Sequence, residues 1–315
     1  MATALDTARS DAPLRGIALK CAAVAIFVAM QAIVKAASEA GVPPGEAVFF
    51  RAVFSIPVIL LWLAATGHLH DGLRVASVPG HLLRGTFGTA AMGLRFLALG
   101  LLPLYEVQAI GYATPLLVVI LAVLFAGERV RATRSLAVLA GLAGVLVVIW
   151  PNLGGAARTA AATAGTLAVL GSAVLAAGAQ TMVRRMVERE ATSAIVFWFA
   201  VSSASLSLLT IPFGWVWPGW AVAGMLVGAG MIGGVGQICL TSAYRHADAG
   251  TVAPFDYTSL LWAIGIGMVL FDETPDARSL TGAGLVVAAG IAVALRERQL
   301  GIERRRARAA KGQEG

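Results

Sequence analysis

Charge is the scarcest property of this sequence. Only 13% of its 315 residues are Asp, Glu, Lys or Arg, while 58% are apolar and the mean hydropathy is +0.81. Soluble domains carry about 25% charged residues, so an ordinary soluble protein is excluded. Cysteine is nearly missing: Cys21 and Cys239 each sit in an apolar run, without a Cys-x-x-Cys spacing, and read as small core residues. No Walker loop occurs, so ATP is not an energy source within this chain. Neither His-Glu-x-x-His nor Gly-x-Ser-x-Gly is present, and no paired membrane aspartates point to intramembrane hydrolysis. The four histidines, His68, His70, His81 and His246, fall in loops or at span ends and suggest no metal site. The 36 glycines follow no Gly-X-Y period, which excludes collagen, and the apolar excess excludes disorder.

What is present is a succession of long apolar runs. A bilayer core takes about 20 residues of helix. Runs of that kind cover 14–37, 47–66, 82–101, 104–126, 134–150, 162–183, 192–212, 220–243, 250–271 and 279–296. Turn chemistry separates them, as at Val42-Pro43-Pro44-Gly45, Trp217-Pro218-Gly219 and Thr274-Pro275-Asp276. The expected fold class is an all-α membrane protein of ten transmembrane helices. Short connections leave no room for a soluble catalytic domain, and no cofactor is expected.

The basic residues give the orientation. With an inner amino terminus, 19 of the 24 Lys and Arg fall at cytoplasmic ends and in tails. Only Lys35, Arg51, Arg95, Arg158 and Arg278 lie on the outer side. The positive-inside rule therefore puts both termini in the cytoplasm of a bacterial cell inner membrane. The net charge of +7 reads as topology signals and lipid headgroup contacts, with no nucleic acid partner. Residues 1–13 lack an apolar core with a small-residue cleavage site and read as a cytoplasmic tail.

The chain repeats itself. Gln31 matches Gln180 with a basic residue following each stretch, and Phe49-Phe50-Arg51 matches Phe197-Trp198-Phe199. Gly85 and Gly88 match Gly230 and Gly233. Tyr112 falls opposite Tyr257, and Gly127-Glu128 falls opposite Asp272-Glu273. Each half has five helices, an odd number, so the halves cross the membrane in opposite senses. Inverted repeats are a transporter architecture, because rocking between two related arrangements exposes one midplane site alternately to each side. The division expected is a tail at 1–13, one repeat at 14–150, an outer linker at 151–161, a second repeat at 162–296 and a basic tail at 297–315.

Those residues also carry a resemblance. Ala113-Thr114-Pro115-Leu116, then Gly127-Glu128-Arg129, then a helix bearing Gly141 and Gly144, resembles the EamA repeat of the drug/metabolite transporter superfamily. Pro254-Phe255-Asp256-Tyr257-Thr258-Ser259 followed by Asp272-Glu273 resembles it again. The resemblance implies a ten-helix transporter of two EamA repeats, with Glu128 and Glu273 as scaffold positions. Gln31-Ala32-Ile33-Val34-Lys35 and Phe49-Phe50-Arg51 look most like a branch that includes riboflavin importers.

Ionisable groups inside spans are costly and mark function by default. Lys20 lies one turn inside the boundary and is expected to snorkel. Arg95 and Glu106, across a tight hairpin, are expected to pair. Arg51 breaks the internal symmetry, since its mate is Phe199. It reads either as a bidentate holder of a carboxylate or as one end of a bridge to Glu46 or Glu106. Gln31, Gln180 and Gln237 are hydrogen-bonding groups, the first two expected to meet near the pseudo-axis. Tyr112, Tyr257, Trp198 and Trp262 offer faces for an aromatic ligand. Asp256, beside Pro254, is the expected proton-coupling group.

The reading favoured is secondary transport of a small-molecule metabolite, with riboflavin-like uptake as the specific form. Amino acids, S-adenosylmethionine or a metallophore are the alternatives. An intramembrane lipid-modifying enzyme and a non-transporting receptor are the rivals from other classes. Both monomer and homodimer stay open.

Overall fold

The computed structural model describes residues 13–118 apart from 68, 70, 76 and 115, then 120, 132–154, 159–186, 190–247, 252–289, 291–292 and 295. These residues form helices α1 (Pro13–Glu39), α2 (Pro44–Ala65), α3 (Val78–Leu99), α4 (Leu104–Gly111) and α5 (Ala132–Gly154). The second half supplies α6 (Ala160–Met186), α7 (Thr192–Ser207), α8 (Trp220–His246), α9 (Thr258–Phe271) and α10 (Ala277–Ala289). No strand occurs among the described residues. The segments holding Glu128, Pro115, His68 and His70 lie outside them.

Local chemistry sets the helix ends. Pro44 opens α2, where a missing N–H costs nothing. The Ser77 hydroxyl caps α3 by accepting from the Gly80 amide at 3.3 Å. Asp276 caps α10, its carboxylate accepting from the Ser279 amide at 2.8 Å. Asp272, the one non-glycine residue with positive φ among those described (52°), ends α9 in the left-handed conformation. Three expected runs are not single α-helices, the fourth run among them, where α4 ends at Gly111 with a turn at Tyr112. After α7 the chain tightens into a 3-10 segment at Leu208–Phe213, and another at Ala253–Tyr257 precedes α9. Pro212 and Pro254 lie in the two 3-10 segments, where neither supplies a backbone donor.

Packing obeys the repeat. α1 lies against α8 and α3 against α6; α2 touches α8 and α3 touches α7; α1 meets α9 and α4 meets α6. Exchanging each helix of one half for its mate five places on converts each of these pairs into its partner. The self-mated pairs α2–α7 and α4–α9 also touch and mark the pseudo-two-fold axis. Glycine permits the closest crossings. A Cβ on Gly144 would lie 2.9 Å from the Gly282 carbonyl, and one on Gly282 would lie 2.9 Å from the Gly144 carbonyl. α5 and α10 therefore cross backbone to backbone. Gly230 and Gly234 seat α8 on Phe54 and Val58 of α2, whereas Gly224 and Gly228 face open space.

The outside is apolar. Leu61, Leu209, Leu261, Val269 and Leu270 are exposed, as lipid-facing residues must be in a membrane protein. Phe213, Trp217 and Trp220 crowd the exposed connection between α7 and α8, a pattern that suits the bilayer interface.

Candidate functional site

At two places along the pseudo-axis repeat mates meet. At the end of α4 and just before α9, the Tyr112 and Tyr257 rings meet at 4.9 Å and 62°. The Tyr112 hydroxyl donates to the Tyr257 carbonyl at 3.2 Å and contacts Ser259 Oγ at 2.5 Å. That carbonyl belongs to the 3-10 segment that holds Pro254. On α2 and α7, the Arg51 guanidinium carbon lies 5.9 Å from the centre of its mate, Phe199.

Arg51 is 8% exposed, and its Nε has no hydrogen-bond partner. The bridge expected as the alternative does not form. Glu46, also buried, accepts instead from the Val216 amide at 3.0 Å. A second arginine arrives from α3: the Arg84 guanidinium carbon stands 3.6 Å from the Phe199 centre, with Nε and Nη1 unsatisfied. By sequence, Arg84 belongs with the basic residues of the cytoplasmic helix ends. The helix starts earlier than its apolar run, at Val78, and this carries Arg84 into the packed interface with α7.

Beside the axis, a polar network joins three helices. Arg95 donates from Nε to Gln31 Oε1 at 3.0 Å and from Nη2 to Gln108 Oε1. Gln31 in turn donates to the Phe27 carbonyl at 3.2 Å. Arg95 thus turns inward to two amides and not to Glu106, contrary to the hairpin pairing. Gly111 makes the room, for a Cβ there would lie 2.6 Å from Arg95 Nη1. Gln31 and Gln180 do not meet either. Gln31 faces α3, while Gln180 is exposed on α6. Gln237 is partly buried on α8; Trp262 is 49% exposed on the outer surface of α9. Trp198 is committed elsewhere, its indole donating to the Leu73 carbonyl at 3.0 Å.

The two ends of α1 carry the charge pairs. Lys20 is 2% exposed and its Nζ lies 2.7 Å from Asp256, whose side chain is 48% exposed. It does not snorkel, because Asp256 supplies a counter-charge within the bundle. Lys35 lies 3.1 Å from Glu273 and 3.2 Å from Glu39, and donates to the Leu99 and Leu102 carbonyls. Glu273 also accepts from the Leu104 amide at 2.8 Å, satisfying an orphan donor at the start of α4. That contact gives the scaffold role expected of Glu273 a physical form. Nothing in the sequence announced a third cluster, in which buried His81 meets buried Glu190, which also accepts from the Ser77 amide at 3.0 Å. With Ser193 donating to the Gly72 carbonyl at 2.9 Å, it ties the loop before α3 to the start of α7. Among the described residues no group of three or more His, Cys, Asp or Glu could hold a metal.

Long apolar helices in two interlocked halves, with polar groups gathered at their axis, define a multi-pass helical membrane protein of transporter architecture. The chain belongs to the EamA-like transporter family, whose model matches residues 14–150 and 163–295. It is 32% identical over 284 residues to a pseudopaline exporter of Pseudomonas aeruginosa, covering 88% of this chain and 95% of that one. A riboflavin transporter of Vibrio cholerae is 27% identical (87% and 91% covered), and an S-adenosylmethionine uptake transporter of Rickettsia prowazekii 24% (81% and 84%). A crystal structure of 22% identity superposes with a TM-score of 0.64 over 90% of this chain and 98% of that one, which shows the shared fold. These relatives are bacterial transporters, and the protein is a multi-pass inner-membrane protein of the drug/metabolite transporter type.

Proposed function

We propose that the protein is a secondary transporter that moves a small polar metabolite by alternating access, with both termini in the cytoplasm. One observation carries the reading: repeat mates meet at the pseudo-axis, Tyr112 with Tyr257 and Arg51 with Phe199, where the contacts between the two halves recur when the halves are exchanged. A site on such an axis is approached equivalently from either side when the halves rock. Gln31, Arg51, Tyr112, Gln237 and Tyr257 hold the cargo, joined by Arg84, Arg95 and Gln108. Asp256 carries the coupling proton and exchanges it with solvent through its half-exposed carboxyl. The test is purified protein in proteoliposomes with a metabolite panel and an imposed pH gradient. Concentrative movement of one metabolite is expected. No movement of any panel member, together with turnover of a lipid substrate, overturns transport in favour of an intramembrane enzyme.

Riboflavin is the second reading. Its support is the Tyr112–Tyr257 pair beside the Gln31–Arg95–Gln108 amide and guanidinium edges, together with the 27% identical riboflavin transporter. Trp198 and Trp262, the other two rings that reading used, lie away from this pair. Thermal stabilisation of the purified protein by riboflavin, lost in Tyr112→Leu, would favour it over the polar-metabolite form.

A further inference from the structure

Two cations share one ring in the packed interface of α2, α3 and α7. The guanidinium carbons of Arg84 and Arg51 stand 3.6 and 5.9 Å from the Phe199 centre. Neither arginine takes part in an ion pair among the described residues, and three of their nitrogens are buried without a hydrogen-bond partner. Burying an unpaired charge is expensive, and a cation–π contact offsets only part of that cost. Folding alone gives no reason to retain such an arrangement. Elsewhere this protein satisfies its buried cations: Lys20, Lys35 and Arg95 each have carboxylate or amide partners.

The surroundings are built to keep the arginines close yet unsatisfied. Gly88 brings α3 against the ring, for a Cβ there would lie 2.5 Å from Arg84 Nη1 and 2.7 Å from Phe199. Gly85 lets the same helix pass Ser202, and a Cβ on Gly233 of α8 would lie 3.6 Å from Arg51 Nε. Thr89 and Ser203 complete a polar rim, their hydroxyls 2.9 Å apart. The acid nearest Arg51 in sequence is turned away to the Val216 amide. Planar guanidinium forks match carboxylate geometry, and two of them against one flat ring suit an anion with two acidic ends.

We propose that Arg51 and Arg84, both against Phe199, form the recognition subsite for an organic anion bearing carboxylates, a dicarboxylate fitting best. The proposal rests on the transporter reading only for the carriage of the anion across the membrane, and its binding stands independently. Its test is the thermal unfolding of detergent-purified protein titrated with glutarate, its uncharged diamide and inorganic phosphate. Glutarate is expected to stabilise saturably and the diamide not at all. Arg51→Gln and Arg84→Gln should each raise the unfolding temperature of the ligand-free protein, since each removes an uncompensated charge, and weaken glutarate binding about tenfold or more. Equal effects of glutarate and the diamide overturn the proposal, as do arginine variants that melt lower than wild type or keep the full glutarate response. Stabilisation by phosphate alone overturns the carboxylate assignment. Glutarate bound but never carried across proteoliposome membranes overturns the transporter reading and leaves the subsite standing.

Discussion

Helix α1 holds a buried lysine near each end, and the two are held differently. Lys35 is braced by Glu273, Glu39 and two backbone carbonyls, and lies 5.2 Å over the Phe271 ring. Its main partner, Glu273, is as buried as Lys35 itself, with both side chains 9% exposed. Lys20 meets Asp256, which stands half in solvent. The contrast teaches where this bundle is fixed and where it can open. A charge pair closed on both sides is a strut, because separating it strands two desolvated ions. A pair with one solvated member is a weaker strut on the acid's side: removing the lysine leaves a hydrated carboxylate, whereas removing the acid strands the buried ammonium.

The comparison breaks first at Lys35. Lys35→Met leaves Glu273 buried without its cation and should destabilise the protein by about 3–5 kcal/mol in chemical unfolding. A loss no larger than that of Lys20→Met would erase the distinction between the ends. Glu273→Gln should cost somewhat less, about 2–3 kcal/mol, because the amide still accepts from Leu104 but no longer neutralises Lys35. Equal stability of this variant and wild type would remove Glu273 from the scaffold.

At the other end the effect of losing the acid should fall on transport as well as on stability, since Lys20 is left buried without its counter-charge. Asp256→Asn is expected to abolish pH-driven accumulation while preserving counterflow exchange of preloaded substrate in proteoliposomes. Wild-type accumulation in this variant would take Asp256 out of the coupling. The companion Lys20→Met should cost only about 1 kcal/mol of stability, as its acid partner is already half hydrated.

The smallest effect sharpens the picture of the braced end, where the cap of α10 comes soon after Glu273. Hydrogen bonds from the Ser279 hydroxyl and amide hold the Asp276 carboxyl below the usual carboxylate range. A depressed folded value means this cap stabilises above the ordinary carboxylate range and is lost as pH falls through the folded value. Asp276→Ala should therefore cost about 1 kcal/mol at neutral pH and nothing in strong acid. A penalty that persists unchanged into acid would mean the carboxylate is not the capping group.

Much of the fold was legible because its determinants are local or internal to the sequence. Bilayer thickness sets span length, and an odd number of helices per half sets the inverted relation. The mates Tyr112 and Tyr257, aligned by sequence alone, do touch. Arg51 was singled out because it departs from Phe199 at the same repeat position, and that departure is where the structure concentrates unpaired charge. The misreadings share one cause. Arg95 was matched to the nearest acid along the chain, Lys20 to the nearest interface and Gln31 to its repeat mate. Each of the three instead found a partner on another element.

The sequence by itself determined the all-helical class, the succession of apolar spans and their division into two repeats. Only the tertiary structure decided which way each helix turns about its axis. In a soluble protein the polar face of a helix reveals its orientation; here lipid and core are both apolar, so an apolar run carries little rotational signal. A rotation of one residue carries Arg84 from lipid to Phe199, or Trp262 from a site to the surface. The packing of α2, α3 and α7 made those choices, and with them placed the two unpaired guanidinium groups against Phe199.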